Sequence, residues 1–133
     1  RMLAVVGKGF DYVLDCIDSI TPKFNLILAC KRHKVPFICS MGAGGKLDAS
    51  KVKVSNIWKT ENCKLAYRIK KLLKKQNAQR GFKVVYSCEQ VNDSALQMTD
   101  GTNFKKSFYG TISYMPALFG LLMSEHVILK IID

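Results

Sequence analysis

The chain has 133 residues, 48% of them hydrophobic, so it is long enough to bury the core of one domain. Its 21 lysines and arginines outnumber 10 aspartates and glutamates and give a formal net charge of +11 at pH 7. A surplus of this size favours an anionic partner, with nucleic acid first and an acidic membrane surface second. Two plainer explanations stay open: the charge only aids solubility, or an acidic half of the protein is missing.

Cysteine spacing limits the chemistry. No two of the five cysteines are separated by two residues, which excludes a zinc ribbon. Their odd number, and the position of several inside apolar runs, argue against a disulfide framework. The chain shows no signal peptide and no transit-like arm. We therefore expect a reduced, cytoplasmic protein. The cysteines are Cys16, Cys30, Cys39, Cys63 and Cys88.

The first half of the chain alternates between strand and helix patterns. Residues 11–15 are a short apolar run bounded by acids and predict a buried strand. Thr21 suits the N-cap of a helix, and Pro22 suits its first position. The next predicted strand covers residues 35–40 and leads into a glycine-rich loop at residues 41–46. Strand, helix and strand in this order predict a right-handed parallel crossover.

The second half continues the alternation. Polar and apolar residues alternate over residues 51–57, as in a half-exposed strand. Residues 63–76 predict an amphipathic helix, and residues 83–87 predict another strand. Residues 91–108 are polar and predict a long loop. A last helix is expected from about residue 114.

This last helix is apolar and about long enough to span a bilayer. It carries Glu125, His126 and Lys130, which usually exclude a lipid-facing span. We therefore predict a buried helix, no stable membrane span, and a close neighbour at Gly120. Membrane association of this helix is the weaker alternative.

Two acids lie where a ligand site is expected. Ligands of open α/β sheets bind beyond the carboxyl ends of the strands, so Asp15 and Asp18 are expected to face a site. A carboxylate there could hold the magnesium of a nucleotide. The alternative is that Asp18 and Ser19 only supply N-cap hydrogen bonds to the next helix.

The glycine-rich loop has the composition of a phosphate-binding loop, because glycines let backbone N–H groups approach an anion. It matches neither the Walker nor the GxGxxG pattern, so a bare connecting loop is the alternative. Its first four residues are Met41, Gly42, Ala43 and Gly44.

The helix at residues 63–76 carries two further candidate features. Cys63 stands at its start, where the helix N-terminus and Lys64 favour the reactive thiolate; the alternative is a structural cysteine. A line of cations with no intervening acid favours a phosphate-backbone surface, although a charged helix face is usually only solvated. These cations are Lys64, Arg68, Lys71 and Lys75, and Arg80 continues them.

Five segments resemble, in the right order, the motifs of the tRNA threonylcarbamoyladenosine dehydratases. This family is a branch of the superfamily that activates ubiquitin and sulfur-carrier proteins. The similar motifs are DAIDSxxxK at residues 12–23, SMGAGxKxD at 40–48, CPLA at 63–66, VVxSxE at 84–89 and GTxSxxPxxxG at 110–120. Together they cover nearly the whole chain.

The resemblance implies an α/β fold over residues 1–133: the C-terminal portion of a Rossmann-like, ThiF-type adenylating fold with a mixed sheet flanked by helices. It implies a homodimeric enzyme that uses ATP and magnesium to adenylate the threonyl carboxylate of the modified adenosine in tRNA, which then cyclises. Asp18 would be the catalytic magnesium ligand, Met41, Gly42, Ala43 and Gly44 would lie near the adenylate, and the basic helix face would lie near tRNA.

Departures from the family leave alternatives open. The family's phosphate loop, ribose-binding acid, and catalytic arginine and lysine precede the matched stretch, so this chain alone is expected to be inactive. Lys64 replaces a proline, and Tyr67 replaces an arginine. The missing CxxC pairs argue against the zinc-bearing sulfur-carrier activators. Adenylation of a small ubiquitin-like sulfur carrier, with a sulfur-transfer protein as partner, remains an alternative, as does a non-catalytic tRNA-binding remnant.

Overall fold

The computed structural model describes residues 1–91, 96–97 and 108–133. It contains four α-helices and six strands in these residues, besides single 3-10 turns at Ala49–Lys51 and Ile57–Lys59. In chain order the elements are α1 (Met2–Val6), β1 (Val13–Asp15), α2 (Ile20–His33), β2 (Phe37–Ser40), β3 (Val52–Asn56), α3 (Lys64–Lys75), β4 (Lys83–Ser87), β5 (Leu96–Gln97), β6 (Phe108–Tyr109) and α4 (Tyr114–Ile132).

Four strands form the main sheet in the order β1-β2-β4-β3. β1 pairs with β2, and β2 with β4, in parallel, whereas β3 is antiparallel to β4. The parallel pairing expected of the crossover and the mixed α/β sheet are therefore confirmed. Because β1, β2 and β4 run in one direction, their carboxyl ends meet at one side of the sheet, called here the carboxyl edge.

Helices cover both faces of this sheet. On one face α2 and α3 pack on β2 and β4, and the core there includes Ile27, Cys39, Ile69 and Val84, all fully buried. On the other face α4 packs on Ile38 and Val85. Neighbouring strand residues point to opposite faces, so β2 and β4 supply both cores. α1 packs on α2, outside the main sheet.

α4 is buried along one narrow side only, so the prediction of a buried helix is wrong. Every fourth residue packs on the sheet, and the rest of the apolar surface is open because no second layer covers it among the described residues. The neighbour expected at Gly120 is also missing, since a Cβ there would meet nothing within 4 Å. The buried stripe is Met115, Phe119, Met123 and Val127, and the exposed residues include Leu121, Ile128, Leu129, Ile131 and Ile132.

By length and composition α4 could cross a membrane, and among the described residues it alone could. The most apolar 18-residue stretch of α4 has a mean hydropathy of 1.5, and 22% of that stretch is buried inside the protein.

Two boundaries differ from the sequence-based expectation. α2 begins at Ile20 with Ser19 at its N-cap, so the assignment of Thr21 to the N-cap and Pro22 to the first position was wrong. Pro22 lies in the first turn, where backbone N–H groups have no helical partner and proline costs little. In and at the end of the predicted loop at residues 91–108, β5 and β6 pair as an antiparallel ladder. The other residues of this predicted loop, 92–95 and 98–107, lie outside the described residues.

Candidate functional site

A buried lysine organises the carboxyl edge. The Lys23 side chain is 0% exposed, and its Nζ lies 2.7 Å from Oδ2 of Asp15. The same ammonium donates hydrogen bonds of 2.7 Å to the carbonyl oxygens of Ile17 and Ser40. Because both oxygens contact this one nitrogen, they lie close to each other. Lys23 thus clamps the segment after β1 to the end of β2.

The clamp explains the place of Asp15. Its carboxylate is 1% exposed, pairs with Lys23 and accepts a 2.9 Å hydrogen bond from the backbone N–H of Ile17. Asp15 faces the interior, so this geometry does not support the predicted contact with a nucleotide. A buried carboxylate needs a compensating cation, and Lys23 in the first turns of α2 is close enough to supply it.

Asp18 lies in the segment that the clamp holds, and its side chain is exposed. The helix that follows has Ser19 at its N-cap, without a side-chain capping hydrogen bond. Within the described part of the chain the Asp18 carboxylate accepts no hydrogen bond and forms no ion pair. The capping alternative is therefore not supported, and the carboxylate is open to a ligand.

The glycine-rich loop begins inside the core and then opens. Met41 is 4% exposed, packs in the core and donates its backbone N–H to the Val85 carbonyl at 2.9 Å. Its side chain is therefore not placed to contact a nucleotide. By contrast, a Cβ at Gly42 would meet nothing within 4 Å, so this backbone borders open space. Gly45 has a φ of +76°, which a glycine adopts without strain, and donates to the Gly110 carbonyl at 2.9 Å.

A second buried lysine fixes the far end of this loop. Lys46 is 3% exposed, and its ammonium donates hydrogen bonds to the carbonyl oxygens of Asn62, at 2.6 Å, and Glu89. The Glu89 carboxylate accepts the backbone N–H groups of Leu47 and Asp48, both at 2.8 Å. Burial lowers the pKa of Lys46. These bonds tie the loop to the start of α3 and to the end of β4.

A pocket of about 480 Å³ lies between the glycine-rich loop and the first half of α3. It therefore joins the two segments in which the sequence predicted a nucleotide site and a tRNA surface. Asp18 does not line this pocket, although the clamp holds its segment beside the loop. The lining residues used below are Gly42, Gly44, Cys63, Lys64, Tyr67 and Lys70.

Cys63 lies at the N-cap of α3 and is half-buried. It lines the pocket close enough to Lys46 for the two side chains to interact electrostatically. This position brings a thiol to the pocket wall, and its reactivity stays a prediction. Within residues 1–91, 96–97 and 108–133, no three histidines, cysteines or acids are grouped so as to hold a metal ion.

The basic side of α3 is exposed as predicted. Its apolar side is buried through Ala66, Ile69 and Leu73, so the cations project away from the core. They follow the helix from the pocket towards the opposite edge of the sheet, about 18 Å for 12 residues. The exposed cations on this face are Lys64, Arg68, Lys71 and Lys75.

Arg80 is exposed beyond the end of α3. A second cation, Lys31, lies beside it and was not predicted from the sequence. The Lys31 ammonium, from the last turn of α2, donates a hydrogen bond to the Arg80 carbonyl. Burial, and then the nearby Arg80 charge, lower the pKa of Lys31. The basic cluster KRHK at residues 31–34 was the only feature of the sequence that indicated a cation from α2 here.

Comparison with known proteins finds relatives that match nearly the whole chain. The tRNA threonylcarbamoyladenosine dehydratase of Haemophilus influenzae is 30% identical over 96% of this chain and 52% of its own length. The Escherichia coli dehydratase is 29% identical over 94% of this chain and 53% of its own length. The chain thus spans about half the length of the curated relatives it matches.

Solved structures show the same fold. The crystal structure of the E. coli tRNA N6-threonylcarbamoyladenosine dehydratase in complex with AMP matches with a TM-score of 0.82 at 28% identity, over 98% of this chain and 52% of that one. The complex of the same protein with ATP matches with a TM-score of 0.80, over 98% and 51% of the two chains. The family model of the ThiF family matches residues 1–133. The chain therefore belongs to the ThiF family.

Proposed function

We propose that this chain is the C-terminal part of an ATP-dependent enzyme that dehydrates threonylcarbamoyladenosine in tRNA. The observation that carries the proposal is the similarity of nearly the whole chain to proteins named as tRNA threonylcarbamoyladenosine dehydratases. The pocket between a glycine-rich loop and a basic helix supports it, because such an enzyme needs a nucleotide and a tRNA at one place.

The reaction activates a carboxylate and then closes a ring. ATP, when bound, supplies the adenylyl group that makes the threonyl carboxylate reactive, and pyrophosphate leaves. Attack by the nucleoside's own side chain expels AMP, so that the nucleoside loses the elements of one water. The solved E. coli relatives contain AMP and ATP, which supports the nucleotide assignment.

Two groups of residues would serve the nucleotide. Gly42 and Gly44 line the pocket, where their backbone N–H groups can approach an anion, and Ala43 between them packs partly against the core. Asp18 offers one exposed carboxylate at the same edge of the sheet. Magnesium is commonly held by one or two carboxylates together with substrate phosphates, so a single acid fits this role.

The exposed face of α3 and Arg80 would bind the tRNA backbone. Lys64, Arg68, Lys71 and Lys75 lie three or four residues apart, so their side chains form one line that starts at the pocket. A phosphate backbone following this line would bring its modified nucleoside to the pocket.

The remaining parts of the active site would come from the other half of the full-length protein. The resemblance assigns the phosphate loop, the ribose-binding acid, and the catalytic arginine and lysine to sequence before the matched stretch. We therefore propose that residues 1–133 alone do not turn over ATP, and that the full-length enzyme is a cytoplasmic homodimer.

A second candidate is adenylation of the C-terminus of a small ubiquitin-like sulfur carrier, with a sulfur-transfer protein as partner. One observation favours it, namely the position of the Cys63 thiol in the pocket wall. The two candidates differ in what stimulates ATP–pyrophosphate exchange: the modified tRNA in the first case, the carrier protein in the second.

Replacing Asp18 by asparagine tests the proposal. In the full-length enzyme the substitution should reduce tRNA-stimulated ATP–pyrophosphate exchange by more than about tenfold, because charge stabilisation by a bound metal is worth several kcal/mol. Asp11→Asn is the matched control, since Asp11 is also exposed but precedes β1 and lies away from the carboxyl edge. Equal exchange rates in the two variants would remove Asp18 from the nucleotide site.

A further inference from the structure

Tyr67 stands out on the basic face of α3. Its side chain is 61% exposed, and it does not belong to the core cluster under the helix. A large aromatic ring in this position contributes little to folding because it stays in contact with water. The ring also lines the pocket, beside Cys63 and Lys64.

Lysines precede and follow this ring on α3. The Lys71 ammonium lies 5.6 Å from the ring centroid, one helical turn further along α3. Lys64 and Lys70, three residues before and after Tyr67, line the same pocket. Lys71 lies over the ring, and the 61% exposure of Tyr67 leaves ring surface available for stacking. An aromatic surface next to several positive charges is the arrangement with which proteins bind unpaired nucleotides.

Trp58 makes a useful contrast. Lys74 lies 5.9 Å from its ring, but Trp58 is half-buried and packs against the core. Its ring therefore cannot offer a free face as Tyr67 does.

We propose that Tyr67 is a stacking platform for an unpaired RNA base at the entrance of the pocket. The ligand is then a single-stranded loop of RNA, because bases inside a duplex are stacked on each other and present no free face. The pocket, at about 480 Å³, lies in the size range of small-molecule sites and can hold one nucleoside. The inference rests on the proposed function and adds the residue that would stack on the RNA base at the entrance of the pocket.

Two RNA probes of similar length and charge test this inference with the full-length protein. One is a hairpin with 2-aminopurine in its unpaired loop, and the other is a blunt duplex without a loop. The variants are Tyr67→Ala, Tyr67→Phe, which keeps the ring, and Phe10→Ala. Phe10 is 49% exposed but does not line the pocket, so it controls for the loss of an exposed aromatic side chain.

Tyr67→Ala should weaken hairpin binding by roughly five- to 150-fold, the range expected from the loss of one base–aromatic stack. It should also abolish the 2-aminopurine fluorescence change, while Tyr67→Phe and Phe10→Ala bind the hairpin as the wild type does. The duplex should bind all four proteins through its phosphates alone, with similar affinity.

Two results overturn the inference, and they are distinguishable. If Tyr67→Ala binds the hairpin as tightly as the wild type while ATP–pyrophosphate exchange stays tRNA-dependent, the stacking role falls and the proposed function stands. If the wild-type protein binds neither RNA and its exchange ignores tRNA, the proposed function falls with it.

Discussion

Replacing Lys23 by methionine removes the ammonium that clamps the carboxyl edge and keeps most of the side-chain volume. The Lys23 side chain is 0% exposed and that of Asp15 is 1% exposed, so the substitution leaves a carboxylate buried without its cation. Breaking a buried ion pair in this way costs roughly 3–5 kcal/mol. The carbonyl oxygens of Ile17 and Ser40 also lose their donor. We therefore expect the free energy of unfolding to fall by at least about 3 kcal/mol, a large share of the roughly 5–15 kcal/mol of a typical domain.

Urea unfolding of the full-length protein, followed by far-ultraviolet circular dichroism, measures this loss. Lys75→Met is the control because it makes the same change on an exposed position of α3 and should cost little. The double variant Lys23→Met/Asp15→Leu should recover much of the lost stability, since it leaves no unpaired charge behind.

The clamp also positions Asp18 and Gly42, so Lys23→Met should slow ATP–pyrophosphate exchange even under conditions in which the protein is folded. A loss of less than about 1 kcal/mol, similar to that of an ordinary surface pair, would contradict the burial of this ion pair. It would mean that water reaches the ammonium and that Asp15 does not depend on it.

Two further predictions concern the basic face and the thiols. Arg68→Ala/Lys71→Ala should weaken binding of all tRNAs about equally. It should also flatten the slope of log affinity against log salt by about one to two units, since each phosphate contact contributes roughly 0.7 to 0.9 to that slope. Filter binding over a salt series measures the affinity and the slope, and unchanged values would mean that the basic face is only solvated. Maleimide at neutral pH should label the exposed Cys16 quickly, whereas the buried Cys30 and Cys39 should react only in urea. Burial, and then Asp15, raise the pKa of Cys30 to about 11, so rapid labelling of Cys30 in the folded protein would contradict the structure.

Local patterns were sufficient for most of the fold. The strand predicted at residues 83–87 coincides with β4, and the helix predicted at 63–76 is α3 with one residue fewer at each end. Both carry strong local signals, since β4 is an apolar run and α3 separates cations from apolar residues along its whole length. The start of α2 was predicted two residues too late, because Ser19 and Thr21 both suit an N-cap and only the backbone conformation distinguishes them.

Tertiary features were not predictable in the same way. Lysines are usually exposed, so a sequence pattern gives no reason to bury Lys23 or Lys46. Their burial depends on which loops meet at the carboxyl edge, and this depends on strand order. The exposure of α4 was missed for a related reason: an apolar helix predicts burial on all sides, whereas the described part of the chain offers one sheet face to cover it.

The candidate site was foreseen in part. Asp18 and the predicted cations of α3 are exposed, and Gly42 and Lys64 line the pocket, while their roles in binding stay predictions. Asp15 and Met41 were also predicted to lie at the nucleotide, but their side chains are buried. A position next to a site therefore did not distinguish the residues that support the loop from those that can contact a ligand.

The most direct test of the central claim is the conversion of the nucleoside itself. The full-length protein would be incubated with tRNA that carries threonylcarbamoyladenosine, with and without ATP, and the nucleosides from the digested tRNA would be analysed by mass spectrometry. We expect a product lighter by one water, formed only with ATP and lost in the Asp18→Asn variant. An unchanged nucleoside in the presence of ATP, together with exchange stimulated by a sulfur-carrier protein instead of tRNA, would contradict this claim.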